Sequence, residues 1–400
     1  MKLSFSENVY EPQEDSYLMQ ELVGRYAFGR VLDVGTGSGI LAIAAAANPK
    51  VREVVASDIN PEALKLARKN ALQNGVQIRT VLSDLFERIP GMFDFIIFNP
   101  PYLPEEKNAE KDMLEMALCG GKRGYETIER FISELPQHLN RDGLALVAFS
   151  SITGRKRVEE IIRDNLLKSE LAGSRKVAFE ELYALLIRKS EELKQLESLG
   201  IRVLKKIAKG HRGVVHLGIF KGKKVAVKLE NPESKAVGRI ENEARFLGIL
   251  AKEKFKVPKL FFWKEKFLVE EFLEGDRIEE YLQKCSGEEA LKVIIGILKE
   301  CRRLDSLKIE KGEMHHPTKH IIVGNKGTFK MIDFERARFT KKPSNTTQFC
   351  QFIISRMKLL NNKKITVNAE ELKRLCSKYK KDYAEEVFKK IVKCIQLRNG

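Results

Sequence analysis

Residues 31–39 read Val-Leu-Asp-Val-Gly-Thr-Gly-Ser-Gly and lead at once into Ile40-Leu-Ala-Ile-Ala-Ala-Ala-Ala47. A short apolar run turns through three glycines into an alanine-rich helix. Gly35, Gly37 and Gly39 let the backbone turn tightly and approach a ligand closely. The amides that open the following helix then face that ligand. Nucleotide-binding folds use a related GxGxxG loop. Here the spacing is GxGxG, and Asp33 precedes it.

Outward from this loop the same rhythm repeats. Residues 30–34, 53–58 and 93–98 are strand-like runs of Val, Ile, Leu or Phe, each ending at a polar or glycine-rich turn. A helical stretch at 61–74 lies between two of them, and strands at 143–150 and 181–187 flank a charged helix at 155–168. Strands alternating with helices predict an α/β fold, a parallel sheet with helices on both faces.

Two further aspartates end strands. Asp58 can bond both hydroxyls of a ribose, and Asp84, in Leu82-Ser-Asp-Leu-Phe86, can bond an adenine amino group. Leu85 or Phe86 is placed to lie against the adenine face. Together Asp33, Asp58 and Asp84 suit a ligand with a cationic amine, a ribose and an adenine. Phosphates would be disfavoured by that much negative charge. S-adenosylmethionine fits this description; the competing explanation is three aspartates that merely cap strand ends.

Phe98-Asn-Pro-Pro-Tyr102 follows at the C-terminal end of the next strand, where ligands bind in open α/β sheets. Two prolines stiffen the turn and remove two backbone donors. What remains is acceptor: the Asn99 side-chain oxygen and the Pro100 carbonyl. They suit a substrate NH₂ group. An amide nitrogen is a poor nucleophile, because its lone pair is delocalised, and holding both hydrogens aims that lone pair at a methyl carbon. A sulfonium already makes that carbon electrophilic, so orientation matters more than a strong base. Asn99 is the expected orienter, with Pro100 beside it and Tyr102 as the pocket wall.

Five segments now carry a resemblance: Val9-Tyr-Glu-Pro-Gln-Glu-Asp-Ser16, the glycine loop, Asn99-Pro-Pro-Tyr102, Gly120-Gly-Lys-Arg-Gly124 and Phe179-Glu-Glu-Leu-Tyr183. They resemble the release-factor glutamine methyltransferases, in the branch found in archaea and eukaryotes, over about residues 5–188. The resemblance implies a Rossmann-like seven-stranded methyltransferase sheet. It further implies methylation of the glutamine of a Gly-Gly-Gln tripeptide in a translation termination factor, and a small zinc-binding activator subunit as partner. It places Glu14 and Asp15 near the methionine moiety or the pocket mouth; a helix-capping role competes for both.

The chain has 400 residues. A single core stops growing at roughly 250–300 residues, so two domains are expected: 1–190, a connector at 191–200, and 201–400. The net charge of +17 is uneven, with 25 basic and 27 acidic residues up to 190, but 47 and 28 thereafter. The basic half would attract polyanions such as RNA, a ribosome or nucleotide phosphates. The six cysteines form no CxxC pair, and scattered cysteines in an intracellular chain are small buried hydrophobes. No stretch approaches the roughly 20 apolar residues that span a bilayer, and residues 1–12 lack the apolar core of a signal peptide. A cytoplasmic protein is expected, without membrane contact.

In the second half, residues 206–218 form a glycine-rich hairpin containing Gly210 and Gly213, followed by Lys223-Lys-Val-Ala-Val-Lys228. This order resembles a protein kinase N-lobe. The resemblance implies an α+β domain that binds ATP and Mg²⁺, with Lys228 on the phosphates and paired to Glu243, and Asp333 of Ile332-Asp-Phe-Glu335 on the magnesium. Kinases read HRDxxxxN before an apolar strand. Anchored on Ile321-Ile-Val323, that pattern places His315 at the catalytic aspartate and His320 at the magnesium asparagine, with Lys319 beside them. A histidine base is chemically possible. The domain is similar to minimal RIO-type or predicted archaeal kinases. His315, His316 and His320 also read as a metal cluster.

Two other functions stay open at this stage. An Asn-Pro-Pro-Tyr turn also serves exocyclic amines of adenine, so the chain could methylate RNA or DNA held by its basic half. Alternatively, the second half is a non-catalytic scaffold or ribosome-binding module.

Overall fold

In the computed structural model the chain divides into two units, Met1–Gly200 and Ile201–Gly400, and the structure describes residues 1–105, 118–209, 213–230 and 239–398. The first unit holds seven strands: β1 (Gly29–Val34), β2 (Val51–Asp58), β3 (Arg79–Leu82), β4 (Phe93–Phe98), β5 (Leu139–Ser150), β6 (Leu167–Lys176) and β7 (Glu181–Lys189). They form one sheet in the order β3-β2-β1-β4-β5-β7-β6. The first five run parallel; β7 is antiparallel to β5, and β6 to β7. This is the Rossmann-like methyltransferase arrangement.

The central strands read as continuous apolar runs because both faces of the sheet are covered. Val31, Leu32, Phe95, Ile96 and Ile97 are all fully buried, each contributing roughly 1.5–3 kcal/mol by leaving water. The cover comes from α1 (Glu14–Tyr26), α2 (Ile40–Ala46), α3 (Pro61–Gln73), α4 (Glu126–His138) and α5 (Arg155–Asp164). α3 starts where it does because the Asn60 side chain accepts from the Glu62 amide, with Pro61 at the first helical position. β1 lies between β2 and β4, so the connections leave it in opposite directions. A crevice opens at the carboxyl ends of β1 and β4.

Two segments differ from the sequence reading. The helix expected to 168 ends at Asp164, where Leu166 turns the chain with φ 59°, and β6 begins at Leu167. β6 is an edge strand with few buried residues, so no apolar alternation marks it. The connector at 191–200 is a helix, α6 (Glu191–Ser198), capped by Ser190 and anchored by buried Leu193 and Leu196. Buried Lys189 pairs with Glu197 at 2.5 Å. The helix therefore belongs to the first unit, and the division falls at Gly200.

The second unit opens with a five-stranded antiparallel sheet in the order β11-β12-β10-β9-β8. Its strands are β8 (Ile201–Lys209), β9 (Gly213–Phe220), β10 (Lys223–Glu230), β11 (Leu260–Lys264) and β12 (Phe267–Glu271). Helix α7 (Arg239–Lys252) packs on β10, β11 and β12. The remainder is mainly helical around an apolar core that includes Phe246, Ile297, Phe334, Phe349 and Tyr379. A polar knot lies inside it. Fully buried Asp305 accepts from the Asn345 amide at 3.0 Å, Asn345 Nδ2 at 2.8 Å, Thr346 Oγ1 at 2.5 Å and the Tyr379 hydroxyl at 3.1 Å. Among the described residues no helix is long and apolar enough to cross a membrane.

Candidate active site

The crevice of the first unit is a cavity of about 750 Å³ lined by the glycine loop, Asp58, Asp84, Leu85, Phe98 and Asn99, among others. Its floor is held by close packing: a Cβ on Gly39, at φ 84°, would come within 2.9 Å of the Ala67 Cβ on α3. Only glycine lets the loop lie against that helix.

Asp33 and Asp58 do different work. Asp33 is buried, and one of its oxygens accepts from Thr36 Oγ1 at 2.7 Å and the Ala42 amide at 3.0 Å. It ties the loop to α2 and does not line the cavity, a correction to its expected place facing a ligand amine. Burial pushes its carboxyl up to about 7. Asp58 does line the cavity and accepts from the Gly37 amide at 2.9 Å and the Asn60 amide at 2.8 Å. Burial raises its pKa, against the pull of those amides.

Asp84 also lines the cavity, but its carboxylate is bound by Arg130 of α4 at 2.8 Å. The sequence reading missed Arg130; nothing local to residue 130 marks it, because the pairing spans 46 residues. Leu85 reaches the cavity at φ 43°, whereas Phe86 turns away and stacks on His138 with ring centroids 4.4 Å apart.

The proline turn is built around Asp15. One oxygen of this buried carboxylate accepts from Asn99 Nδ2 at 3.0 Å and the Tyr102 hydroxyl at 3.4 Å. The other accepts from the Ser16 amide at 2.6 Å and the Tyr10 hydroxyl at 3.4 Å. Asn99 therefore has its nitrogen engaged, while its oxygen is buried and without a partner. Tyr102 is held by Asp15 and does not line the cavity; Pro101 does, and Pro100 is buried behind it. This corrects the placing of Tyr102 as pocket wall. Burial and the Asp15 charge both push the Tyr102 and Tyr10 hydroxyls up, so they stay protonated donors. Glu14 lies outside this knot, paired with Arg175 at 2.8 Å.

In the second unit Lys228 lies between Glu243 at 2.6 Å and Glu270 at 2.8 Å. The two carboxylates raise the Lys228 pKa against the cost of burial. Glu243 also accepts from the Phe334 amide at 3.2 Å, tying α7 to the turn that carries Asp333. Buried Lys311 donates to the Asp333 carbonyl at 3.0 Å, and burial lowers its pKa to about 8. His320 sits 3.3 Å from the Asp333 carboxylate. His315 does not join this group: it is exposed, with its ring 4.6 Å from that of His316. His315, His316 and Lys319 line a cleft with Glu313 and Arg336, and His320 borders both that cleft and Asp333. Among the described residues no group of three or more His, Cys, Asp or Glu is arranged to hold a metal, which overturns the histidine-cluster reading. Gly213 opens β9, and Gly210 lies outside the described residues.

Comparison with known proteins bears on the first unit. The family model described as methyltransferase small domain matches residues 13–174. A putative protein N5-glutamine methyltransferase of Methanocaldococcus jannaschii is 42% identical over 183 residues, covering 46% of this chain and 92% of that protein. Methyltransferase HEMK2 of Homo sapiens is 31% identical over 197 residues, covering 46% of this chain and 91% of that protein. The release factor glutamine methyltransferase of Deinococcus radiodurans is 37% identical over 136 residues; there the chain spans about half the relative's length, 49%. The solved E. cuniculi Mtq2-Trm112 complex, described as methylating the eRF1 termination factor, aligns at 25% identity over 46% of this chain and 99% of that one, with a TM-score of 0.38. With a curated relative covered almost end to end at this identity, the chain is a methyltransferase and belongs to the HemK-like protein glutamine methyltransferase family.

Proposed function

We propose that the first unit transfers the methyl group of S-adenosylmethionine to the side-chain nitrogen of a protein glutamine, with the Gly-Gly-Gln glutamine of a translation release factor as its acceptor. The observation that carries this reading is the lone buried Asn99 oxygen, whose partner nitrogen is already held by Asp15. A buried acceptor without a donor costs about 1–3 kcal/mol. A substrate N–H supplies the missing bond.

The residues present fit the cofactor. The cavity matches a nucleoside-sized ligand in volume, presents Asp58 to a ribose, and offers Leu85 and Phe98 as apolar walls. Asp84 with Arg130 bounds the adenine end. When bound, the cofactor supplies an electrophilic methyl on sulfur. Asn99 and the Pro100 carbonyl each take one substrate N–H, which turns the nitrogen lone pair toward that carbon. These residues would hold and orient the acceptor amide for that methyl group, and the spare proton would pass from the nitrogen to water. A small zinc-binding activator subunit is proposed as partner, on the family resemblance alone.

The test offers the chain a termination factor with labelled cofactor, with and without a candidate activator, and compares Asn99→Ala. The expected result is label on the glutamine, with Asn99→Ala losing turnover far more than cofactor affinity. Equal losses in both would remove the orienting role. For the second unit we propose binding of ATP with Mg²⁺ in the manner of a minimal kinase, supported by the Lys228–Glu243 pair beside the Asp333 turn. Calorimetric titration with ATP·Mg²⁺ should show binding that Lys228→Ala and Asp333→Ala abolish.

A further inference from the structure

Four of the six cysteines share the core of the second unit. Cys301 and Cys350 are fully buried in it, and Cys376 and Cys394 pack against it from half-buried positions. Two of them face each other. Cys350 lies on α8 (Asn345–Ser355) and Cys376 on α9 (Ala369–Asp382), and these helices pack together. The polar knot fixes where they meet: Thr346 Oγ1 and the Tyr379 hydroxyl are 3.5 Å apart and share the Asp305 carboxylate. Residues three and four apart lie on one helix face. One turn on from Thr346 stands Cys350, and one turn back from Tyr379 stands Cys376. The register that seats the knot therefore seats the two sulfurs opposite one another, and their thiols are hydrogen-bonded.

The two sulfurs are unequal. Cys350 is the donor; that bond, and then its burial, hold its proton well above the usual thiol range. Cys376 is the acceptor. The bond from Cys350, with Lys380 one turn further along α9, favours its thiolate and lowers its pKa against the cost of burial. Cys376 is also the one that reaches solvent, whereas Cys350 is closed off. An accessible thiolate backed by a second thiol is oxidised first at the outer sulfur and then resolved by the inner one.

We propose that Cys350 and Cys376 form a peroxide-responsive pair, in which Cys376 attacks hydrogen peroxide and Cys350 closes a disulfide that ties α8 to α9. The step balances. The Cys376 sulfur bonds to one peroxide oxygen as the oxygen–oxygen bond breaks, and the departing oxygen takes the electron pair and the Cys376 proton and leaves as water. The Cys350 sulfur then bonds to the Cys376 sulfur. The sulfur–oxygen bond breaks, and the hydroxide takes the Cys350 proton and leaves as a second water. Two thiols lose two electrons and one peroxide gains them. The sulfurs close from hydrogen-bonding contact to a bond of about 2 Å. The cross-link restrains the unfolded chain, so the oxidised second unit resists denaturant better.

The experiment treats the folded full chain with hydrogen peroxide, blocks the remaining thiols with iodoacetamide in urea, and maps unreduced peptides by mass spectrometry. The expected product is one peptide pair joined through Cys350 and Cys376, with the other four cysteines alkylated, and its reversal by a dithiol. In Cys350→Ser the resolving sulfur is gone, and dimedone should capture Cys376 as the sulfenic acid. In Cys376→Ser, Cys350 should take no dimedone. The urea midpoint read by Trp263 fluorescence should rise when the parent is oxidised and stay in place in both variants; the same transition shows that each variant is folded. Six alkylated cysteines after peroxide, or a disulfide through Cys301 or Cys394, would overturn the pairing. Dimedone on Cys350 in Cys376→Ser would overturn the order of attack. The map of the parent decides the pairing even where a variant fails to fold.

Discussion

Asp15 grips Asn99 by its nitrogen, at 3.0 Å, across 84 residues of sequence. That contact decides which way round the amide stands. With the nitrogen committed, the oxygen is left buried and without a partner. Replacing Asp15 by Asn removes the negative acceptor and lets the Asn99 amide rotate. Turnover should fall about a hundredfold, the scale of misplacing a reacting group, while cofactor affinity by calorimetry stays within a few fold. A variant that keeps its turnover would show that the amide is held by something else.

Asp58→Ala should act in the opposite sense. Asp58 lines the cavity and shapes the glycine loop through the Gly37 amide. Its loss should weaken cofactor binding by about 1–3 kcal/mol, the cost of removing hydrogen bonds to a charged group. Calorimetry showing unchanged affinity would refute its place at the ribose.

Asp33 predicts a pH dependence with a definite sign. Burial lifts its carboxyl to about 7 from an ordinary value of 3.8. The folded state therefore holds the proton more tightly than the unfolded state does, so this group lowers stability as pH rises from about 4 to about 7, and its contribution is flat beyond. The full swing is at most about 4 kcal/mol. Asp33→Asn should gain on the parent between pH 5 and pH 8, read from hydrogen exchange of the β1 amides at each pH. A difference between the two proteins that does not move with pH would show that Asp33 keeps an ordinary pKa.

Asp305→Ala should unfold the second unit far more readily. It would strand the Asn345, Thr346 and Tyr379 donors inside the core. The expected loss is about 1–3 kcal/mol for each buried donor left unpaired. Trp263, the sole tryptophan, lies on β11, so its fluorescence in urea reads the second unit. A midpoint shift of less than half a molar would show that those donors find water or new partners.

What sequence could show follows from how local each cause is. The strands around Val31 and Ile96 are legible because burial on both faces leaves an unbroken apolar run. β6 is not, since an edge strand needs only backbone pairing and its side chains stay wet. The glycine loop and the proline turn announce themselves through backbone restriction, which is a property of single residues. Arg130 on Asp84, Asp15 under Asn99 and Glu313 beside His320 are meetings that the tertiary fold arranges. In the second unit His320 lies beside Asp333 while the exposed His315 stands against His316, a division that an interval counted along the chain does not display.

The dependence of the proline turn on α1 has a practical side. The segment from Tyr10 to Ser16 is a clasp for residues far downstream and lends Tyr10, Pro12 and Ser16 to the cavity lining, so proteolytic nicking or a bulky affinity tag close to it should cost cofactor uptake and methylation together. A ligand-binding quality check would therefore already reveal the damage.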